Sequence, residues 1–514
     1  MKHCYVKYWS ILILGMLLSC KSKSVTIEKS HNIILFFVDD LGWQDTSVPF
    51  WDRMTPLNKT YRTPNMERLA QQGVKFTQAY ATPVCSPTRV SLMTGMNAAR
   101  HRVTNWTLRP DVLQPMELNH PTLDFPKWNF NGIATTDEIA NAVHATPLPK
   151  LLQDQGYHTV HVGKGHFGAI GYPTANPKAI GFDVNIAGHA AGAPGSYLGS
   201  DNFGNGQQGR ETWAVPGLEK YHGQAVFLTQ ALTDEALAAL AEPLERNQAF
   251  FLYFSLYGVH TPLMADQRFV ENYSEMGLEP SEIKYASMIE SMDHALGNVL
   301  DFVETKKIGD NTIILFMSDN GGLSAVQRDG EKHTHNAPLN SGKGSIYEGG
   351  IRVPMMVKWP NLTVPNSENK TPVIIEDFFP SLLEMAGVKE LKTVQTVDGL
   401  SFVPALKTPD KNTAYDRPLF WHYPNDWGPE GPGIGSYSAI RKGDWKLIYF
   451  HHDQHFELFN LKEDIGEKNN RIGTEQQRAI TLAQILTEHL IKVKAQMPRI
   501  KTTQKNIPWP ADQF

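Results

Sequence analysis

Asn32-Ile33-Ile34-Leu35-Phe36-Phe37-Val38-Asp39-Asp40 is an apolar, β-rich run that stops abruptly at two carboxylates. Three further runs have the same form. Thr159-Val160-His161-Val162 precedes Gly163-Lys164-Gly165-His166, and Phe250 to Leu256 precedes His260-Thr261-Pro262. Thr312 to Met317 precedes Asp319-Asn320-Gly321-Gly322. Near-continuous apolar strands belong to sheets buried on both faces, and such sheets are mostly parallel. Helical patterns lie between them. Thr63 to Gly73 has a Thr cap, an early Pro and a terminal Gly; Leu148 to Gln155 followed by Gly156, and Thr233 to Glu245, are similar. The alternation predicts an α/β fold, a mixed and mostly parallel sheet flanked by helices. Ligands bind such sheets beyond the C-terminal ends of the strands. All four runs carry their ionisable residues there, so the four ends are expected to meet in one crevice.

From about Gly399 the texture changes. Ser436 to Phe450 and His455 to Leu461 read as antiparallel strands around a Lys442-Gly443-Asp444 turn, followed by a long helix from Thr474 to Gln496. The predicted division is a main α/β domain over 31–398 and a smaller C-terminal α+β subdomain over 399–514. Two stretches read as long loops. His101 to Thr146 contains Trp106, Arg109 and Trp128, and Gly188 to Gly223 contains His189, Tyr197 and Arg210.

At the N-terminus, Lys2 and Lys7 precede a short apolar run from Ile11 to Leu18, the pattern of a secretory signal over 1–20. Leu17-Leu18-Ser19-Cys20 resembles a bacterial lipoprotein box in which Cys20 takes the lipid. The alternative is an ordinary cleaved signal with a chance Cys. Residues 21–30 read as a tether. The expectation is an exported protein, periplasmic or an outer-membrane or cell-surface lipoprotein, touching membrane through its N-terminal lipid only.

The chain has 514 residues, 41% of them hydrophobic and 20% charged, which suits a large core and argues against disorder. The net charge of −5, with no block of Lys and Arg, argues against nucleic acid or an anionic membrane surface as partner. Three cysteines, Cys4, Cys20 and Cys85, cannot build a disulfide scaffold.

Asp39-Asp40 alone, or Asp319-Asn320-Gly321-Gly322 alone, reads as a turn. Together they offer an all-oxygen shell, which hard cations such as Ca²⁺ or Mg²⁺ prefer. Cys85 lies in Thr82-Pro83-Val84-Cys85-Ser86-Pro87-Thr88-Arg89. Ser86 as cap, Pro87 at the first position and Gly95 at the end predict a helix with Cys85 just before its N-terminus. Backbone N–H groups there favour an anion, and Arg89 falls in the first turn. A buried structural thiol is the plain alternative for Cys85. Lys164, His166, His260 and Lys343 would add cations, and two groups titrating near neutrality, around the same crevice. Such a set suits a tetrahedral anionic ester, a phosphate or a sulfate.

On these residues the sequence resembles the type I, formylglycine-dependent sulfatases of the alkaline phosphatase superfamily. The resemblance rests on Cys85-Ser86-Pro87-Thr88-Arg89 followed by Leu92-Met93-Thr94-Gly95. It extends to Asn32–Gly42, Gly156–His166, Gly258–Pro262, Ser318–Gly322 and Lys343–Pro354, in the family's order. It implies an alkaline-phosphatase-like fold and oxidation of Cys85 to formylglycine (3-oxoalanine) by a sulfatase-maturating enzyme. Hydrated residue 85 would be the nucleophile. Asp39, Asp40, Asp319 and Asn320, with an oxygen at position 85, would hold one Ca²⁺. Arg89 and Lys164 would hold the nucleophile and the developing charge. His166 would take a proton from the second hydroxyl, and His260 and Lys343 would bind sulfate and assist the leaving alcohol. One departure stands out: many relatives carry Lys-Trp-His where this chain has Lys164-Gly165-His166. Asp319-Asn320, where the two-zinc phosphatase branch has Asp-His, argues against that branch.

Export and this resemblance together point to a sulfated carbohydrate as substrate. Residues expected to read it are Trp106, Arg109, His189, His335, His422 and Trp427, with the 421–427 stretch foremost because it joins the two subdomains. Two other readings stay open, a phosphonate or phosphate-ester hydrolase of the same superfamily and a non-catalytic glycan-binding surface lipoprotein. On the sulfatase reading no thiol survives in the mature chain: Cys4 leaves with the signal, Cys20 carries lipid and Cys85 is oxidised.

Overall fold

The computed structural model describes residues 1, 30–113, 120–325, 328–408 and 416–514. The expected signal with Lys2, Cys4, Lys7 and Cys20, and the tether up to residue 29, lie outside the described residues.

A nine-stranded sheet forms the centre. In chain order its strands are β1 (Asn32–Val38), β2 (Val74–Tyr80), β3 (His158–Gly163), β4 (Val184–Ile186) and β5 (Phe250–Ser255). They continue with β6 (Thr312–Ser318), β7 (Arg352–Lys358), β8 (Ser367–Asn369) and β9 (Val373–Ile374). The spatial order is β8-β2-β7-β6-β1-β5-β3-β4, with β9 also on β2. Every pairing is parallel except those of β7, which runs against both β2 and β6. The four runs picked out from the sequence are therefore β1, β3, β5 and β6, adjacent in space and pointing the same way.

Both faces of this sheet are covered, which is why its strands are apolar without alternation. Ile33, Leu35 and Phe37 pack with helices α2 (Cys85–Thr94), α3 (Leu148–Asp154) and α6 (Phe378–Met385). Ile34, Phe36 and Val38 pack with α1 (Pro64–Gln72), α4 (Leu228–Ala239) and α5 (Pro280–Thr305).

The C-terminal sheet is antiparallel, as expected: β10 (Leu419–Tyr423), β11 (Tyr437–Lys442), β12 (Trp445–Phe450) and β13 (Phe456–Asn460). Gly443 turns β11 into β12 with φ of 58°. Trp421, Tyr423, Tyr437 and Ile448 join the cluster under the main sheet, and Trp421 Nε1 donates to the Ala81 carbonyl at 2.9 Å. Ile440, Leu447 and Leu458 point the other way, onto α7 (Gln476–Lys492).

Three local expectations are corrected. Thr63 does not cap α1. Its hydroxyl accepts from the Ser47 N–H at 2.8 Å, and the Asp293 carboxylate takes the Asn65 and Met66 N–H groups at 3.0 and 2.8 Å. A remote carboxylate supplies the same acceptor with more charge. The helix expected at Thr233–Glu245 starts earlier, at Leu228, and splits at Leu240. Pro243 has no N–H to give the Ala239 carbonyl, which breaks the ladder there. In α2 the cap is Val84 and Cys85 already belongs to the first turn, while Ser86 Oγ accepts from the Thr107 N–H at 3.0 Å. Gly95 ends α2 as expected, with φ of 69°.

Candidate active site

Backbone register assembles the site. Asp39 N–H donates to the Gly258 carbonyl, Asp319 N–H to that of Val38, and Lys164 N–H to that of Ser255, at 3.0, 3.0 and 2.7 Å. These bonds continue the sheet past its last ladder pairs and lock the ends of β1, β3, β5 and β6 together. Asp40 and His166 take the left-handed conformation, with φ of 61° and 62°. Non-glycine residues rarely hold it, and it is tolerated where the surroundings over-determine it. At Asp40 it lets two consecutive carboxylates enter one site.

Three buried carboxylates face three buried cations. Arg89 donates through Nε and Nη2 to Asp319 Oδ2 at 3.0 and 2.8 Å, and through Nη1 to Ser255 Oγ at 2.6 Å. Lys164 Nζ donates to Asp39 Oδ2 at 2.6 Å. Lys343 Nζ lies 2.7 Å from Asp40 Oδ1 and 3.0 Å from Oδ2. Burial and then the neighbouring Asp319 push Asp39 well above the usual carboxylate range. Burial acts the same way on Asp40, but Lys343, His260 and Lys164 outweigh it and hold that carboxyl low. Burial lowers the Lys343 pKa less than the carboxylates, Asp40 foremost, raise it, so its ammonium stays charged.

Asp39 Oδ1 and Asn320 Oδ1 are buried acceptors with no hydrogen-bond partner among the described residues. Asn320 spends its amide N–H groups on Asp40 Oδ1 and the Gly321 carbonyl, at 2.8 and 2.9 Å. Two orphaned oxygens in a wholly buried site are costly unless something positive fills them. Ligand atoms of Asp39, Asp40, Cys85 and His260 lie within 4.8 Å of one another. Asp319 stands beside that group, its Oδ1 accepting from the Asp40 N–H at 3.2 Å. The oxygens offered by Asp39, Asp40, Asp319 and Asn320 fit a hard divalent cation.

Cys85 is buried at the start of α2, and burial pushes its thiol up to about 11 despite Lys164 and Lys343 nearby. An unmodified thiol here is protonated and a poor nucleophile at neutral pH. His166 Nε2 pairs with the Thr107 carbonyl at 2.7 Å, so that nitrogen carries the proton. Its Nδ1 is left as a buried acceptor with no partner among the described residues. Burial, then Lys164 and Arg89, hold the His166 pKa far below its ordinary value, so the ring is a neutral base. His260 Nδ1 pairs with the Thr261 carbonyl at 2.7 Å, and burial and Lys343 lower its pKa to about 3.

Above these groups lies a cavity of about 530 Å³, within the range of small-molecule sites. Cys85, His166, His260 and Lys343 form its floor, and Trp106, Trp213, Trp427 and Arg210 are among its walls. Gly192 closes against His166, where an added Cβ would lie 2.3 Å from the ring.

The six residues expected to read substrate divide. Trp106 and Trp427 line the cavity; Arg109, His189, His335 and His422 do not. Arg109 is exposed. His189 lies behind the floor, its carbonyl accepting from the His166 N–H at 3.0 Å. His335 belongs to a partly buried group with Arg328 and His333. His422 is a satisfied core histidine on β10, bonded to Ser438 Oγ and the Gln496 carbonyl, each at 2.8 Å. Arg210 and Trp213 were not among the six. Their only signal was membership of the long Gly-rich loop from Gly188 to Gly223.

The family model described as Sulfatase matches residues 31–388. The chain belongs to the sulfatase family. A second model, N-sulphoglucosamine sulphohydrolase, C-terminal, matches residues 341–496 of this sulfatase. A sulfatase of Formosa agariphila is 29% identical over 93% of this chain and 92% of its own. The N-acetylgalactosamine-6-sulfatase of Mus musculus is 29% identical over 77% of this chain and 69% of its own. The crystal structure of Ps i-CgsB superposes with a TM-score of 0.70 at 27% identity, over 90% of this chain and 93% of that one. That protein has also been solved in complex with k-i-k-neocarrahexaose. The family, these relatives and the shared fold make the chain a sulfuric ester hydrolase.

Proposed function

We propose that this sulfatase removes sulfate from a sulfated carbohydrate, using residue 85 as formylglycine together with one bound Ca²⁺. The observation that carries the reading is the placement of Cys85. It opens a buried helix on the floor of a cavity, facing Arg89, Lys164, His166, His260 and Lys343. Formylglycine, when hydrated, supplies a hydroxyl nucleophile and a second hydroxyl through which sulfate is later expelled. Asp39, Asp40, Asp319 and Asn320 would hold Ca²⁺, which when bound would supply Lewis-acid charge to the sulfate ester.

The chain's own residues do the rest. Arg89, Lys164 and Lys343 balance the three carboxylates, so a divalent cation leaves the floor positive and suited to an anionic ester. His166 Nδ1 is the acceptor for a proton leaving residue 85, because Thr107 fixes the other nitrogen as the donor. Lys343, charged and lining the cavity, is the donor we assign to the leaving oxygen, because a sugar alkoxide leaves poorly without one. Trp106, Trp213 and Trp427 offer faces on which sugar rings stack. The carbohydrate reading is also supported by the oligosaccharide bound to Ps i-CgsB and by the name of the mouse relative.

Export and lipid attachment at Cys20 are proposed on the N-terminal pattern alone. Among the described residues no helix is long and apolar enough to cross a membrane. The test of function is sulfate release from defined sulfated sugars, with conversion of Cys85 checked by mass spectrometry. Faster turnover of matched phosphate esters would overturn it.

A further inference from the structure

Charges around the cavity are one-sided. Among the described residues its lining contains no Asp or Glu, while Arg210, Lys343, His166 and His260 all reach it. Lys343 is neutralised from below by Asp40. Arg210 is not neutralised. Its guanidinium donates through Nη1 to the Gly195 carbonyl, and no carboxylate pairs with it among the described residues.

The wall that carries Arg210 is tied to the floor. Gly195 also donates its N–H to the Trp213 carbonyl at 2.6 Å, so Arg210 and Trp213 are anchored to one residue. Gly192, three positions earlier, rests on the His166 ring. Three residues of chain span at most about 10 Å. The anchor of Arg210 thus lies within about 10 Å of the glycine that rests on His166, within reach of a sugar whose sulfate occupies the floor.

We propose that Arg210 forms a second anion subsite, which binds a carboxylate or a second sulfate on the sugar whose sulfate ester occupies the floor. This rests on the sulfatase reading only for the occupant of the floor. A planar guanidinium matches both anions with paired hydrogen bonds, whereas a neutral hydroxyl leaves its charge uncompensated. Trp213 beside it gives the ring a face to lie on. The substrate class is therefore a glycan with two anionic groups close together, rather than an isolated sulfate ester.

Binding tests this without turnover. In a Cys85→Ser background, calorimetry would compare matched pairs of hexose and hexosamine glycosides. One member carries a single sulfate, and the other adds a second sulfate or an adjacent uronate carboxylate. In at least one pair the dianion should bind about tenfold tighter. That gain should vanish in Arg210→Gln and be partly kept in Arg210→Lys. Which pair shows it separates the two anions. The inference is overturned if no pair shows a gain, or if the gain survives Arg210→Gln. Sulfate release by the converted enzyme is measured alongside. Release without any dianion gain sinks the subsite and leaves the sulfatase reading; a gain at Arg210 without release does the reverse.

Discussion

Arg89 holds Asp319 with two hydrogen bonds to one oxygen, at 3.0 and 2.8 Å, and both side chains are wholly buried. The pair joins α2, which opens at Cys85, to the segment just past β6 that carries Asp319 and Asn320. Removing one partner strands the other charge in the interior. Arg89→Ala is expected to cost about 3–5 kcal/mol of stability and to abolish turnover. Arg89→Met combined with Asp319→Asn should recover much of the stability in denaturant melts and none of the activity. Recovered activity in the double variant would show that the pair is only structural.

The orphaned Asp39 Oδ1 and Asn320 Oδ1 predict a response to cations. Chelator-treated protein should be inactive, and Ca²⁺ should restore activity and raise Tm. At a hundredfold excess over Kd the stabilisation is about 2.7 kcal/mol. Asp39→Asn with Asp40→Asn should remove the Tm response. A melting curve indifferent to Ca²⁺ and Mg²⁺ would refute the site.

Gly192→Ala places a methyl group against the His166 ring. The ring must shift, and the bond from Nε2 to the Thr107 carbonyl, 2.7 Å long, should be lost with the tautomer it fixes. We expect kcat to fall at least tenfold with KM and Tm little changed, about 1.4 kcal/mol in the transition state. Unaltered kcat would show that His166 Nδ1 takes no proton.

His422 gives a pH prediction separate from catalysis. Burial lowers its pKa to about 4, against about 6.5 in the unfolded chain. A lowered base contributes no difference above pH 6.5 and costs stability as pH falls below it, because the unfolded state binds the proton first. Between pH 7 and pH 5 the parent should lose on the order of 2 kcal/mol relative to His422→Asn. Glu376 and Glu467, raised by burial to about 8 and about 7, titrate in the opposite sense, so the comparison with the variant is needed. Turnover at pH 7 should stay within about twofold, since His422 lies outside the cavity. A stability gap independent of pH would contradict the assignment.

These predictions draw on what the sequence made legible and on what it hid. β1, β3, β5 and β6 were legible because burial on both faces demands uninterrupted apolar residues, so each strand ends where its polar residues begin. That is also where the chemistry sits, and Asp39, Lys164, His260 and Asp319 could be read as one group before any geometry. Contacts between distant segments were hidden. Nothing local tells Asp293 to cap α1 in place of Thr63, or Ser438 to satisfy His422. Arg210 and Trp213 lie in a loop with no period to read, and only the close approach of Gly192 and Gly195 brings them to the cavity. The aromatic stretch around Trp427 was half legible: Trp427 faces the cavity, while Trp421 and His422 are committed to the core.

The central claim is that residue 85, once converted, hydrolyses sulfate esters. Its most direct test is the sulfate-release rate on defined sulfated glycans, measured on preparations that differ in the formylglycine fraction at position 85. The rate should rise in proportion to that fraction and vanish in Cys85→Ser, whose binding of the same glycans persists. A rate independent of conversion, or turnover by Cys85→Ser, would contradict the account.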